Sequence, residues 1–376
     1  MINFKILGCG AAGNKAVIQA FNDGVITENE FMLINSTDKD IPEEFKKYSY
    51  IYKDADGAGK ERALGKQFAI NALKTSDLNI NEFTKNAKVV VLVSSLDGGT
   101  GTSSVSILAK FIKEVIGKHV YIIGFNGFEN DARSLSNSIE YMKELEESYT
   151  ISIISNKKCL DNNKSTNYRK AELIANDEFV KYIKSIKTIG VVPSSINIDG
   201  AELFKTISTP GYMIIERGSI ADIKNTSEFN DIIKYLHDNS KSIDTEPTCK
   251  RMSIFILANN RIQNNVDYSF EEAKSNWGTP FELYQHVQES DDDEVVIISS
   301  GMNLPIKYFE NLYSKYQEES AKVNKGADSF FNTISNFNGN EHDSEFNSLT
   351  NNVNNTKSAD DFFNSLEGNK ITKEEF

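Results

Sequence analysis

The chain has 376 residues, 25% of them charged and 39% apolar, with a formal net charge of −13. At roughly 100–200 residues per domain this length suffices for two or three units with ordinary hydrophobic cores. A mean hydropathy of −0.41 is low for one compact body and predicts a polar, unfolded part. The acid excess excludes an electrostatic grip on nucleic-acid phosphates or on an anionic membrane, both of which need clustered Lys and Arg. No apolar run reaches the ~18 residues of a bilayer span. Three scattered cysteines (Cys9, Cys159, Cys249), no CxxC and four His predict reduced thiols, a cytoplasmic setting and no zinc site. Ile6-Leu7-Gly8-Cys9 looks like a lipoprotein cleavage site. Too few apolar residues precede it for a signal segment of about 7–15, and a buried strand entering a turn fits better.

In chain order, Asn3–Leu7 reads as a strand, followed by a glycine turn, the helix Asn14–Asn22 and the strand Phe31–Asn35. Glu61–Leu73 has helical spacing. Val89–Ser94 is continuously apolar and β-branched, as expected of a parallel strand covered on both faces. A helix at Ser104–Ile116, the strand His119–Phe125, a helix at Ser134–Ser148 and the strand Thr150–Ser155 continue the rhythm. Alternation of this kind predicts a doubly wound α/β sheet. One long helix follows at Ala171–Lys187. A second mixed unit has strands at Gly211–Glu216, Met252–Ala258 and Glu294–Ser300, with helices near Ser219–His237 and Phe270–Trp277. Pro305–Lys322 is a strongly amphipathic last helix. These patterns divide the chain at 1–170, 171–196, 197–304, 305–323 and 324–376.

From about Asn324 onward Asn, Ser, Asp and Gly dominate without a period, which accounts for the low hydropathy. The tail echoes itself: Ala327-Asp328-Ser329-Phe330-Phe331-Asn332-Thr333-Ile334 returns as Ala359-Asp360-Asp361-Phe362-Phe363-Asn364-Ser365-Leu366, with a partial copy at Asp343–Leu349. Aromatic pairs in an acidic, disordered tail suit docking motifs; chance repetition in a biased composition is the plain alternative.

Gly8-x-Gly10-x-x-Gly13 joins the first strand to a helix, where backbone N–H groups and the helix N-terminus can cradle phosphate. Alone it also fits a dinucleotide-binding unit, for which Asp38, just past the second strand, would hold a ribose hydroxyl. A second loop, Leu96-Asp97-Gly98-Gly99-Thr100-Gly101-Thr102-Ser103, joins the VVVLVS strand to its helix. Two such turns aim several donors at one polyphosphate, and the hydroxyls of Thr100, Thr102 and Ser103 are expected to add more. A dehydrogenase needs no second loop, and no Gly-Lys-Ser/Thr closes this one as a P-loop. A third small loop, Gly57-Ala58-Gly59, is placed to cover the terminal phosphate.

These loops resemble those of the tubulin/FtsZ superfamily: GCGAAGN its first nucleotide loop, GGTGT its signature GGGTG[ST]G. Asp97 and Ser103 depart from the signature's first and last Gly. Asp97 puts an acid near the phosphates, tolerable if it points away or serves the metal. The resemblance extends over about residues 1–320 and implies a Rossmann-like GTPase domain, a long central helix, an α/β activation domain and a C-terminal helix. It implies GTP/GDP contacts from Gly8, Cys9, Gly10, Ala11, Asn14, Gly57, Ala58, Gly59, Gly98, Gly99, Thr100, Gly101 and Thr102, with Mg²⁺ neutralising charge on the phosphates. It further implies that Glu129 meets the ribose, that Arg133 reaches the nucleotide, and that Asn156 contacts the guanine. Asp177, or Asn176 one residue earlier, would read the guanine edge, and Leu173 stands where the family has a stacking aromatic.

Asn197-Ile198-Asp199-Gly200-Ala201-Glu202 resembles the family's NxDxx[DE] loop, whose carboxylates complete the active site of the next subunit. Asp199 and Glu202 are therefore the catalytic candidates in a head-to-tail filament, although NxDxxE alone is also an ordinary acidic loop. Divergence in the signature, the Pro305–Lys322 helix and a chain ending Lys373-Glu374-Glu375-Phe376, with no FtsZ-type peptide, place the resemblance nearest the TubZ group of plasmid and phage partition tubulins. That group implies DNA segregation through a DNA-bound adaptor gripping the tail, with no direct nucleic-acid or membrane contact. A cell-division FtsZ ring, an NAD(P)-dependent oxidoreductase and a non-hydrolysing scaffold are the alternatives.

Overall fold

The computed structural model describes residues 2–323 apart from 129–130, 146–147, 165, 189–197, 267 and 269, and also residue 365. Glu129, Asn197 and all of the tail except Ser365 lie outside the described residues.

Strand β1 (Phe4–Cys9) runs directly into helix α1 (Gly10–Asn22). The helix begins a turn earlier than its apolar spacing predicts, because the glycine turn is itself helical. β2 (Phe31–Asn35) leads through a 3-10 turn into β3 (Ser49–Ile51), which is too short to carry a pattern. Helices α2 (Arg62–Lys74) and α3 (Ile80–Thr84) precede β4 (Val89–Ser95). Successive side chains of a strand point to opposite faces, and both faces of β4 are covered. Val90 and Leu92 enter one core, and Val89, Val91 and Val93 the other. Burying each is worth about 1.5–3 kcal/mol as an upper bound, which is why this strand tolerates no polar alternation.

Helix α4 (Thr100–Phe111) loosens into a π-helical turn closed by the left-handed Gly117 (φ +72). Then come β5 (His119–Asn126), α5 (Ala132–Glu144), β6 (Thr150–Ser155), α6 (Asn156–Asn162) and the long helix α7 (Tyr168–Thr188). The remaining elements are α8 (Gly200–Ile207), β7 (Gly211–Ser219), α9 (Thr226–Asp238), β8 (Arg251–Ala258), α10 (Asn260–Asn265), α11 (Glu271–Trp277), β9 (Glu282–Glu289), β10 (Glu294–Met302) and α12 (Ile306–Val323). One sheet threads all ten strands in the order β3-β2-β1-β4-β5-β6-β7-β10-β8-β9. Its β1–β6 part is parallel. β6 joins β7 through the pairs Thr150↔Gly211 and Ile151↔Tyr212, and β10 runs antiparallel to β7 and β8.

Two elements depart from expectation for identifiable reasons. The helix expected from Ser219 starts at Thr226, since β7 stays paired to β10 through Ser219 and the Asn225 Oδ1 cap accepts from Glu228 N at 3.0 Å. β9 (ELYQHVQE) has no apolar alternation because it is an edge strand, paired to β8 and mostly half-exposed. Among the described residues no helix is long and apolar enough to cross a membrane.

Helix α7 lies on the sheet through Phe179, Tyr182, Ile183 and Ile186. At this seam Glu216 of β7 is buried. Burial first, then the charge of Glu178 on α7, push its carboxyl well above the usual carboxylate range, against a hydrogen bond to Ser240 and the charges of Lys181 and Lys241. Folding then requires Glu216 to hold a proton that the unfolded chain releases, so stability falls as pH rises from the ordinary carboxylate range toward the folded value. Glu216→Gln is expected to stabilise by roughly 1–2 kcal/mol at pH 8 and by little at pH 4. Thermal melts of both proteins across that range measure it, and a pH-independent difference would contradict it.

Candidate functional site

Parallel α/β sheets place ligands beyond the carboxyl ends of their strands. A cavity of about 480 Å³ opens there, beyond β1, β2, β4 and β5. Its walls begin with two helix N-termini. α1 is entered from Cys9 and α4 from Gly99, and neither cap residue supplies a side-chain hydrogen bond; neither first turn holds an acid. The free N–H groups and the positive end of each helix dipole therefore face the space that Gly10, Ala11, Gly98, Gly99, Thr100 and Gly101 line.

Glycine is required where these turns interlock. A Cβ on Gly101 would sit 2.7 Å from the Cys9 carbonyl oxygen, and one on Gly10 (φ +71) 3.0 Å from the Gly101 backbone. A Cβ on Gly99 would meet Lys60 Cα at 2.8 Å, so the loop carrying Gly57, Ala58 and Lys60 is pressed onto the second turn. Gly57, Ala58 and Lys60 line the cavity; Gly59 does not.

The structure separates the predicted contacts. Gly8, Cys9 and Asn14 support the first turn from behind: Cys9 is a buried thiol that burial pushes well above its ordinary value, and Asn14 Nδ2 donates to the Ile34 carbonyl at 3.4 Å. The hydroxyls expected to add donors mostly turn elsewhere. Thr102 Oγ1 donates to the Gly98 carbonyl at 2.6 Å, Ser103 Oγ donates to that of Gly99, and Thr100 Oγ1 shares a 2.6 Å bond with Ser36 Oγ. Arg133 lies outside the lining, its Nε donating to the Lys60 carbonyl at 3.3 Å. Asp38, which a dinucleotide reading would need, pairs with Lys46 at 3.2 Å and is also outside.

At the far end the cavity is bounded by Asn156, Phe125, Phe128, Glu172 and Asn176. Of the two candidates for base reading, Asn176 faces the cavity. Asp177, a step of about 100° around α7, accepts instead from Gln19 of α1. Leu173 is exposed and outside the lining, whereas Phe128 packs with Tyr168 at 4.5 Å between ring centroids.

Sequence reasoning missed Lys15, Asn35, Ser36, Thr37, Asp40, Lys60 and Glu172 in the walls. The strand-end rule could have pointed to Asn35–Thr37, which end β2; nothing local marks Lys15 or Glu172.

The chemistry of the walls fits a nucleoside polyphosphate. Besides the uncapped helix ends, two buried polar atoms of the lining, Asn35 Nδ2 and Asn156 Oδ1, have no partner within the protein. Among the described residues no group of three His, Cys, Asp or Glu could hold a metal by itself. A magnesium ion here would be carried chiefly by phosphate oxygens and water.

Asp199 and Glu202 are absent from this cavity's lining. They form a capping box on α8: Asp199 Oδ1 accepts from Ala201 N (2.7 Å) and Glu202 N (2.8 Å), and Glu202 Oε2 accepts from Asp199 N (3.0 Å). One oxygen of each carboxylate remains outside the cap.

Residues 3–164 match the model of the Tubulin/FtsZ family, GTPase domain. The cell division protein FtsZ of Mycoplasmopsis pulmonis is 31% identical over 225 residues, which cover 57% of this chain and 55% of that protein. FtsZ of Aquifex aeolicus is 27% identical over 225 residues, 57% and 59% of the two chains. This chain thus spans little more than half the length of these relatives. The TubZ structure of Clostridium botulinum phage c-st superposes with a TM-score of 0.66 at 17% identity, over 84% of this chain and 98% of that one. A GTPγS-form protofilament of Bacillus thuringiensis serovar israelensis TubZ gives 0.68 at 17%, over 86% and 94%. The chain therefore has the tubulin/FtsZ fold, and its residues 3–164 are a GTPase domain of the tubulin/FtsZ family.

Proposed function

We propose that this protein binds GTP in the cavity beneath α1 and α4, polymerises head to tail and hydrolyses GTP in the filament. The observation that carries the nucleotide reading is the convergence of two uncapped helix N-termini, locked together at Gly10 and Gly101, on one cavity. Mg²⁺ bound to the phosphates would offset charge that develops during transfer.

The filament reading draws support from the position of Asp199 and Glu202. Glu172 and Asn176, near the start of α7, line the cavity, whereas the two carboxylates follow its far end. From Asn176 to Thr188 the helix advances about 18 Å. The carboxylates therefore suit the phosphates of a neighbouring subunit stacked on this one, where they would orient the attacking water. Solved TubZ relatives of this fold include a GTPγS-form protofilament and a two-stranded filament.

Within the family we favour a role in plasmid or phage DNA partition. The −13 net charge suits indirect attachment, with the acidic tail gripped by a DNA-bound adaptor. The curated relatives, named cell division proteins FtsZ, favour a second reading as a division-ring GTPase. Pull-down by the tail of a DNA-binding protein, rather than of division proteins, separates the two.

The nucleotide reading is tested by melting the full chain with GTP, GDP or NAD. At 100 times Kd the guanine nucleotides are expected to add about 2.7 kcal/mol of stability, and NAD nothing. Electron microscopy of the same samples is expected to show filaments with GTP. Stabilisation by NAD alone would sink the proposal.

A further inference from the structure

Asp97 is the single acidic residue that the two glycine turns contribute to the cavity lining. Its Oδ2 fills the place where a Cβ on Gly127 would lie, so the glycine after β5 makes room for it. The Asp97 main chain is held as well, its carbonyl accepting from Asn137 Nδ2 of α5 at 3.0 Å.

Of the charged groups that act on this carboxyl, Lys60 favours its ionised form but is itself paired, and Asp131 is negative. The Lys60 ammonium donates to Asp131 Oδ2 at 3.0 Å and to Ser134 Oγ at 2.9 Å. Arg133 donates to the Lys60 carbonyl. Asp131, at the start of α5, adds like charge. Ser95 of β4 supplies a hydrogen bond, and among the described residues no ion pair includes Asp97. Burial is the largest influence and leaves its carboxyl above the usual range even before any ligand enters.

A polyphosphate cradled by the same turn brings two or more further negative charges into that wall. An ionised Asp97 would repel it, while a protonated one offers an O–H to a phosphate oxygen, a short charge-assisted bond. We propose that Asp97 is a proton-coupled phosphate-binding residue, which takes one proton from solvent as the nucleotide enters and donates that O–H to a phosphate oxygen. The inference rests on the nucleotide reading given above. The balance is simple: one proton leaves bulk water or buffer, the carboxylate becomes a carboxylic acid, and no covalent bond of the nucleotide changes. Where the free protein's Asp97 is ionised, affinity falls with rising pH, because the bound state holds more protons than the free one.

The test is isothermal titration calorimetry of the full chain with GDP, which cannot turn over, from pH 6 to 8.5 in buffers of different ionisation enthalpy. Asp97→Asn keeps a donor at the site but cannot titrate, so subtracting its behaviour removes the proton carried by the GDP phosphate itself. Relative to Asp97→Asn, the wild type is expected to take up a further fraction of a proton, approaching one, in the upper half of this range. Its affinity should fall by up to tenfold per pH unit while the variant's stays nearly level. Asp97→Gly, with the residue type of its neighbours Gly98 and Gly99, supplies a second non-titrating reference if Asp97→Asn folds poorly. Equal proton uptake and equal pH slopes would overturn the proposal. So would a loss of affinity in Asp97→Asn confined to magnesium-containing solutions, which would make Asp97 a cation ligand. If neither protein binds GDP while both melt cooperatively, the nucleotide reading itself fails.

Discussion

Replacing Asp199 by Asn is expected to leave GTP binding and assembly intact while lowering GTP turnover by about 10²–10⁴-fold, so that filaments persist instead of dispersing. Asn is the informative choice because of the capping box. Asp199 Oδ1 holds two N–H groups of α8, and Asn caps a helix about as well as Asp. Asp199→Ala removes the cap too and is expected to cost a further ~1 kcal/mol of stability. If the carboxylate orients the attacking water of a neighbouring subunit, both variants lose turnover alike and differ only in melting temperature. Phosphate-release assays above and below the assembly concentration, with light scattering and thermal melts, separate the effects. Normal turnover in Asp199→Asn would reduce the residue to a helix cap and remove the filament-completed active site.

Gly101→Ala should cut GTP affinity about 100-fold or more. The added Cβ would lie 2.7 Å from the Cys9 carbonyl oxygen and 3.2 Å from Ser94 Cβ, both on strands of the sheet's centre. Neither can give way easily, so α4 must shift relative to α1 and the two sets of N–H donors no longer converge. Overpacking of this kind costs about 1–3 kcal/mol of stability, enough to lower the melting temperature but not to unfold a domain of this size. Gly57→Ala is the control: it meets nothing within 4 Å, and its strain at φ +91 should cost stability with a much smaller binding loss. Fluorescent-nucleotide titration with parallel melts checks both. Wild-type affinity in Gly101→Ala would mean that the two helix ends do not act together.

Some of this architecture could be read along the chain because its causes are local. Val89 to Val93 announced a strand buried on both faces, since a run of β-branched side chains has few other homes. The two glycine turns announced closely apposed helix N-termini, because close backbone approach and free N–H groups depend on a few adjacent residues. β3 and β9 escaped notice for a physical reason as well: edge strands are half-wet and carry no apolar rhythm.

The site divides along the same line. Residues whose role is backbone geometry, such as Gly10, Gly99 and Gly101, could be named from spacing. Side-chain roles could not. Whether Thr102 turns to a ligand or to the Gly98 carbonyl, or Asn176 rather than Asp177 faces the cavity, depends on which neighbour packs against each. For Asp177 the deciding partner is Gln19, which a sequence distance of 158 residues hides. Lys60 enters the wall because its loop is pressed onto Gly99, and Asp97 because Gly127 leaves room for it.

The amino-acid order alone thus sufficed for the class of fold and for the two glycine turns that open α1 and α4, both short-range consequences of backbone sterics and hydrophobic period. Long-range packing was needed to join the two halves into one ten-stranded sheet, to turn Asp177 toward Gln19, and to seat Asp97 against Gly127 in the cavity wall. Those features arise where segments distant in sequence meet, and a linear pattern carries no record of which surfaces will touch.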